Sequence, residues 1–146
     1  MRFLMVDRIT DLVSGKHATG IKNVTLSEDF FTHHFPRYPI MPGALILECL
    51  VQLADWLIRE SQNFDRAGVP AAFESIKFYG LVRPGDRLNL KVEVLGKEDG
   101  CYRLNAQAQC EQQVVTVARF TMNTVAATEL QPVEDSKRLF SLIWRP

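Results

Sequence analysis

The longest apolar stretch of the chain lies in its first half and has helical spacing. Residues 45–61 place apolar side chains on nearly every side of a helix, and Pro42 and Gly43 just before them are typical of a helix start. The apolar members are Leu45, Ile46, Leu47, Leu50, Leu53, Trp56 and Leu57. A helix that is apolar all round must be enclosed by other structure, so the pattern predicts one central buried helix.

The second half of the chain changes to a period of two, which is typical of half-buried strands. The predicted strands are residues 17–25, 73–79, 88–94, 102–110 and 114–124, with a short strand or helical turn expected within residues 3–12. Because the later strands follow one another through tight turns, the sheet should be antiparallel. One long helix and an antiparallel sheet predict an α+β fold in which the sheet wraps around the helix.

The pattern indicates one domain followed by an extension. No linker, repeat or low-complexity tract divides the first 124 residues, and 146 residues are enough to bury a core. We assign residues 1–125 to the domain and residues 126–146 to a C-terminal extension, in which Asp135 or Ser136 is suited to cap a short helix. The apolar residues of the extension are Leu139, Phe140, Leu142, Ile143 and Trp144. They require a surface on this chain or on a neighbour.

Composition excludes several classes of protein. Lys plus Arg equals Asp plus Glu, 17 against 17, so no overall field favours nucleic acid or an anionic membrane. Three cysteines without a CxxC spacing predict neither a disulfide framework nor a zinc site. Asp7 and Arg8 interrupt the N-terminus before a secretory signal forms, and no stretch approaches the roughly 18 apolar residues of a membrane helix. We expect a cytoplasmic protein.

The residues most suggestive of chemistry stand just before and within the predicted helix. Residues 33–48 read HHFPRYPIMPGALILE, with two histidines, three prolines and one glutamate among apolar residues. The prolines fix φ at three nearby positions, and such stiffness suits a loop that aims a side chain. A metal site at His33 and His34 is not expected, because adjacent side chains diverge and only the distant His17 remains as a third ligand.

Two interpretations of Glu48 remain open from spacing. Glu48, Gln52, Asp55 and Arg59 are separated by four, three and four residues, so they share one helix face. Spacing alone favours an ordinary solvated stripe. In the alternative, Glu48 faces a cavity, where removal from water would keep its carboxyl protonated as a proton donor near neutral pH.

The same short segment contains the groups needed to remove a proton next to a carbonyl. His34 is a candidate base and Glu48 a candidate acid. The first amides of the helix, at Gly43 and Ala44, lack intrahelical acceptors and lie at its electropositive end, so they suit an oxyanion. A purely structural interpretation is also open: His34 would be a structural histidine, and Gly43 and Ala44 would belong to an ordinary Pro-Gly helix start. Together they indicate acid–base chemistry on a carbonyl compound.

The segment resembles the signature of the 3-hydroxyacyl-[acyl-carrier-protein] dehydratases of the FabZ type. In that family the motif is GHFPGxPxMPGxLxxE, with the same interval between its His and its Glu as between His34 and Glu48. Further blocks resemble the family in its own order, at residues 3–8, 20–25, 30–31, 77–78 and 82–86. The resemblance covers roughly residues 2–124.

This resemblance implies a hotdog fold that works as a dimer or a trimer of dimers. It implies that His34 removes the C2 proton of a 3-hydroxyacyl thioester and that Glu48 of the partner subunit gives a proton to the departing hydroxyl. The amides of Gly43 and Ala44 would bind the thioester oxygen. No metal or other cofactor is implied, since the substrate is carried on the phosphopantetheine of acyl carrier protein, the expected partner.

Two departures keep other functions open. His33 and Arg37 stand where the family has glycines, and both add bulk beside the expected site. A thioesterase on the same fold is one alternative, although it does not need a histidine at position 34. A non-catalytic acyl-binding protein is the other. Acyl chain length and pathway are not indicated by the sequence.

Overall fold

The computed structural model describes residues 3–146. In chain order its elements are β1 (Arg8–Val13), β2 (His17–Asn23), α1 (Gly43–Ser61), β3 (Arg66–Phe78), β4 (Arg87–Glu98), β5 (Cys101–Cys110), β6 (Gln113–Ala126) and α2 (Val133–Ile143), with 3-10 turns at Asp29–Thr32 and Ala127–Glu129. The strands form a six-stranded sheet in the order β1-β2-β4-β5-β6-β3. No helix within residues 3–146 has the length and apolarity needed to cross a membrane.

The sheet is antiparallel throughout and packs against α1. Each pair of neighbouring strands runs antiparallel, and the central residues of α1, including Leu50, Leu53 and Leu57, are fully buried. Contact is close at Gly68 in β3, where a Cβ atom would lie 2.8 Å from Cδ1 of Ile58, and at Gly20 in β2, where it would lie 3.3 Å from Cδ1 of Leu53. The predicted α+β architecture is therefore confirmed.

Several elements are longer than the sequence pattern predicted, among them β4, which ends at Glu98 rather than at residue 94. Helix α1 begins at Gly43 rather than at residue 45, because the carbonyl of Pro42 already accepts hydrogen bonds from the amides of Leu45 and Ile46. Strand β3 begins at Arg66 rather than at residue 73. Its early part includes Pro70, which lowers strand propensity but is tolerated in an edge strand, and pairing with β6 holds it in place.

Strand β3 leaves an apolar surface uncovered. It pairs only with β6 and so forms one edge of the sheet, and residues 70–81 are exposed along their whole length. The large apolar side chains of this β3 edge surface are Phe73, Ile76, Phe78, Tyr79 and Leu81. An exposed strand edge with apolar side chains is a template for another chain.

The C-terminal extension folds back onto the body of the protein. The ring of Phe140 in α2 lies 5.9 Å from the ring of Trp56 in α1 and 5.3 Å from that of Phe64, measured between centroids. Trp144 stacks on Phe140 at 6.1 Å, and Ile143 is buried. The apolar residues of the extension therefore pack against the domain of their own chain.

The last residues reach the other edge of the sheet. Trp144 forms a parallel bridge with Ile9 in β1, and the amide of Arg145 donates to the carbonyl oxygen of Ile9 at 3.1 Å. Nε of Arg8 in turn donates to the carbonyl oxygen of Arg145 at 2.6 Å. The edge formed by β1 is thus partly covered by the chain's own end.

We expect the extension to contribute to stability. Ending the chain after Gln131 should lower the thermal midpoint by at least about 3 °C. Exposing even one large apolar side chain costs about 1.5–3 kcal/mol, and each kcal/mol moves the midpoint of a domain of this size by roughly 2–4 °C. Calorimetry or circular dichroism measures the change.

A matched pair of substitutions tests whether the packing of α2 against the domain is what stabilises it. Phe140→Ala should lower the midpoint, because the ring contacts Trp56 and Phe64. Leu142→Ala should leave it unchanged, because Leu142 is 63% exposed. Equal midpoints for the truncated and complete chains would show that the extension does not stabilise the domain.

Candidate active site

The loop that carries His34 is held by hydrogen bonds among its own residues. The amide of His34 donates to the carbonyl oxygen of Phe30 at 3.0 Å, and the amide of Ile40 donates to the carbonyl oxygen of His34 at 3.1 Å. Between them, Phe35 and Tyr38 exchange backbone hydrogen bonds of 3.3 and 3.0 Å. The peptide bond between His34 and Phe35 is cis. These hydrogen bonds fix the backbone of the loop and so determine where the imidazole of His34 is attached.

A single hydrogen bond defines which nitrogen of His34 is available for chemistry. Nδ1 lies 2.9 Å from the carbonyl oxygen of Ile40. A carbonyl oxygen can only accept, so Nδ1 carries the hydrogen, and in the neutral ring Nε2 keeps its lone pair. The side chain is half-buried. Orientation through Nδ1 and an unprotonated Nε2 are the features of a histidine that acts as a general base.

The loop is also anchored from outside. The amide of Met41, a buried residue, donates to the carbonyl oxygen of Val82 at 2.7 Å. The guanidinium carbon of Arg83 lies 4.8 Å from the ring centroid of Tyr38, and the same side chain hydrogen-bonds the Tyr38 hydroxyl. These contacts are not predictable from the sequence, because no local pattern relates residues so far apart along the chain.

The start of α1 presents free amide groups. The carbonyl of Pro42 takes the hydrogen bonds of Leu45 and Ile46, whereas the amides of Gly43 and Ala44 have no acceptor within residues 3–146. A Cβ atom at Gly43 would lie 2.8 Å from the ring of Phe78, so only glycine fits there without movement of that ring. The two amides can therefore donate to an oxygen of a bound ligand.

Glu48 is held by a neighbour on its own helix. Nε2 of Gln52 donates to Oε1 of Glu48 at 2.7 Å and to the carbonyl oxygen of Phe3 at 2.9 Å. Oε1 of Gln52 accepts from the amide of Met5 at 2.8 Å. The interval of four residues was visible in the sequence, but the role of Gln52 in connecting Glu48 to the N-terminal segment was not. Glu48 is half-buried, and the helix face that carries it is covered.

The structure brings some of the predicted site residues together and leaves others apart. Gly43, Ala44 and Glu48 share the first turns of α1, and His34 lies in the loop that leads into that helix. No hydrogen bond or ion pair joins His34 to Glu48 within the described chain. No group of three His, Cys, Asp or Glu side chains suited to a metal ion occurs among residues 3–146.

Comparison with known proteins identifies the family. The sequence model of the FabA-like domain matches residues 1–119. The chain belongs to the FabA-like family. The predicted resemblance is therefore confirmed.

Individual relatives agree with this assignment. The 3-hydroxyacyl-[acyl-carrier-protein] dehydratase FabZ of Bacillus licheniformis is 42% identical over 120 residues, which are 77% of this chain and 83% of the relative. A hot-dog-like protein of Thermanaerovibrio acidaminovorans superposes with a TM-score of 0.66 at 18% identity, over 89% of this chain and 92% of that one. A hypothetical thioesterase of Streptococcus pneumoniae solved with coenzyme A gives 0.64 at 17%, over 82% and 88%. The hotdog fold is confirmed.

The two departures from the family motif lie at the surface of this FabA-like chain. His33 and Arg37 are both exposed. The amide of His33 donates to the carbonyl oxygen of Phe30 at 3.3 Å. Neither added side chain is buried against α1 in the described structure. The bulk that replaces the two family glycines therefore lies at the surface rather than against α1.

Burial suppresses the acidity of two groups on α1. It raises the pKa of the Cys49 thiol to about 12, so this residue beside Glu48 stays protonated and is no nucleophile at neutral pH. Burial also raises the pKa of Asp55, while the attraction and hydrogen bond of Arg59 and the amide of Gly68 oppose that change. On β5, desolvation is the main cause that raises the pKa of Cys110.

Proposed function

We propose that this protein is a 3-hydroxyacyl-[acyl-carrier-protein] dehydratase that forms trans-2-enoyl thioesters in fatty acid or related lipid biosynthesis. The observation that supports this most strongly is the hydrogen bond from Nδ1 of His34 to the Ile40 carbonyl, because it leaves Nε2 as a base inside the signature segment. Membership in the FabA-like family and the curated FabZ relatives support the same reaction.

Four residues take part in the proposed reaction. Nε2 of His34 takes the proton from C2, and the C2–H electron pair forms the double bond to C3. The C3–O bond breaks as the carboxyl of Glu48 protonates the hydroxyl, so that water leaves. Negative charge that develops on the thioester oxygen is stabilised by the amides of Gly43 and Ala44. His34 ends protonated and Glu48 deprotonated, and solvent exchange restores both.

We further propose that a second copy of the chain completes the site. The family resemblance implies that the acid that serves His34 is Glu48 of the partner subunit, and within one chain His34 and Glu48 are bonded to other residues, to Ile40 and Gln52 respectively. The β3 edge surface offers the interface, since its outer edge pairs with no strand of residues 3–146 and its side chains are apolar. Phe78 belongs to this surface and touches Gly43, which puts the interface beside the helix amides.

The proposal includes the carrier and the location. Acyl carrier protein would present the substrate on its phosphopantetheine in the cytoplasm. The residues described provide both a base and an acid. Elimination of water from a 3-hydroxyacyl thioester is not a redox reaction, so it requires no electron acceptor. We therefore propose that the reaction uses no cofactor beyond the carrier's own prosthetic group.

The test is incubation of the complete chain with a 3-hydroxydecanoyl thioester of acyl carrier protein. We expect the ultraviolet absorbance of the enoyl thioester to rise without release of free thiol. Thiol release without enoyl product would instead show a thioesterase. Binding of the acyl carrier without either product would show a non-catalytic acyl-binding protein, and each of these results contradicts the proposal.

A further inference from the structure

A lysine side chain is buried in strand β2. The side chain of Lys22 is only 6% exposed, and its Nζ donates to Oε1 of Glu28 at 2.7 Å and lies 3.9 Å from Oδ1 of Asp7. Oδ2 of Asp7 accepts from the amide of Asn23 at 2.7 Å. Lysine is almost never fully buried unless its charge is paired, so the two carboxylates explain how the ammonium group is tolerated. They do not explain why a cation is placed there.

Glu28 belongs to the segment that connects β2 to the loop of His34. It is the residue just before the 3-10 turn Asp29–Thr32. Its carbonyl oxygen accepts from the amide of Phe31 at 3.1 Å, and the carbonyl oxygen of Phe30 accepts from the amide of His34 at 3.0 Å. A displacement of Glu28 would therefore be transmitted through the turn to the backbone of His34.

The ion pair between Lys22 and Glu28 ties this segment to the sheet. Within residues 3–146, the other side-chain hydrogen bonds of residues 25–33 stay inside the segment itself. The buried ring of Phe31 also holds the segment, but apolar packing is non-directional. A hydrogen bond between two charged groups is short and directional, so the ion pair restricts where Glu28 can lie.

This ion pair is a poor source of stability for the fold. Moving charged groups out of water costs free energy that their mutual attraction often fails to return. Replacing such a buried pair by uncharged groups of similar volume is therefore often neutral or stabilising. A contribution to catalysis accounts for the buried lysine better than a contribution to the free energy of unfolding does.

We propose that Lys22 is a positioning residue for the base: it holds Glu28, and through Glu28 it fixes the turn that carries His34. The proposal rests on the proposed function, because the position of His34 matters for dehydration only if its imidazole removes the C2 proton. Lys22 itself touches no substrate and transfers no proton. Misplacing a catalytic group by about 1 Å can cost about 10²-fold in rate, so the ion pair acts on kcat rather than on folding.

The experiment replaces both charges together, by Lys22→Met with Glu28→Gln, so that neither partner is left as an unpaired charge. In the dehydration assay kcat should fall by about tenfold or more while KM changes by less than about twofold, because the loss falls on the position of the base in the transition state. The thermal midpoint should stay the same or rise. A merely structural pair would lower the midpoint and leave kcat of the folded protein unchanged.

A second ion pair provides the matched control. Nζ of Lys91 lies 2.7 Å from Oε1 of Glu93 on β4, and both side chains are well exposed. Lys91→Met with Glu93→Gln should leave kcat unchanged. An unchanged kcat in the Lys22 and Glu28 double variant, an equal loss in this control, or a double variant that does not fold would each overturn the proposal.

The single variants test whether the two residues act as one unit. Lys22→Met and Glu28→Gln should each lower kcat about as much as the double variant does, because either change breaks the same ion pair. Separate effects that multiply in the double variant would show that Lys22 does not act through Glu28, and would overturn the proposal.

Hydrogen exchange separates this proposal from the proposed function, because it requires no turnover. The amide protons of His34 and Ile40, which are bonded within the loop, should exchange about tenfold faster in the double variant, while those of β5 should not change. Faster exchange at His34 supports the positioning role even if no dehydration is detected. Unchanged exchange in a protein that does dehydrate 3-hydroxyacyl thioesters overturns this role and leaves the proposed reaction intact.

Discussion

Replacing His34 by alanine should lower the rate of dehydration by at least about 10²-fold, the lower end of what a positioned base contributes. The fold should persist, because the imidazole makes one hydrogen bond, to the Ile40 carbonyl, and is only half-buried. The measurement is enoyl formation from a 3-hydroxyacyl thioester, with circular dichroism as the check on folding. Glu48→Gln should have an effect of similar size, since an amide cannot donate the proton that a carboxyl group does.

The chain provides a matched control at the adjacent position. His33 is exposed and its side chain makes no hydrogen bond among residues 3–146, so His33→Ala should retain nearly full activity. If folded His34→Ala were as active as His33→Ala, His34 would not be the base. If Glu48→Gln were fully active, Glu48 would be only a partner of Gln52.

Mixing two inactive variants should restore activity if the sites are shared between subunits. In a two-fold dimer of His34→Ala with Glu48→Ala, one site lacks both groups and the other keeps an intact pair. Random reassortment makes about half of the dimers mixed, each with one good site of two, so about a quarter of the unmodified activity should return. A site within a single chain would have no intact copy in any mixture.

The mixing experiment requires that subunits exchange. Mass spectrometry of differently tagged chains measures the fraction of mixed dimers, and the activity should rise in proportion to it. Two preparations of His34→Ala with different tags serve as the control and should stay inactive. Full exchange without recovery of activity would refute the shared site.

The sequence predicted the elements whose patterns are local. The apolar surface of residues 45–61 identified α1, since a helix that is apolar on nearly every side must be enclosed. Alternation identified β4 and β5 because a half-buried strand has a period of two. The interval between His34 and Glu48 identified the family, because the motif needs no knowledge of the distant parts of the chain.

What the sequence did not predict depends on contacts between distant residues. Residues 66–72 have weak strand propensity, with Gly68 and Pro70, and only pairing with β6 makes them a strand. The stripe that ends at Arg59 looked solvated from spacing alone. The extension covers its Arg59 end, since Nη1 of Arg59 donates to Oγ of Ser136, 77 positions away. The tautomer of His34 likewise depends on a carbonyl that a motif does not specify.

The position of residues 144–145 on β1 bears on how many copies can assemble through the sheet. A strand that added to β1 would have to displace Trp144 and the hydrogen bond from Arg145 to Ile9, whereas β3 is open. If each copy has one free edge, strand addition stops once two copies have paired. If each copy had two free edges, addition could continue without limit. The chain's own end would therefore act as a terminator of polymerisation, and three such pairs could associate only through other surfaces.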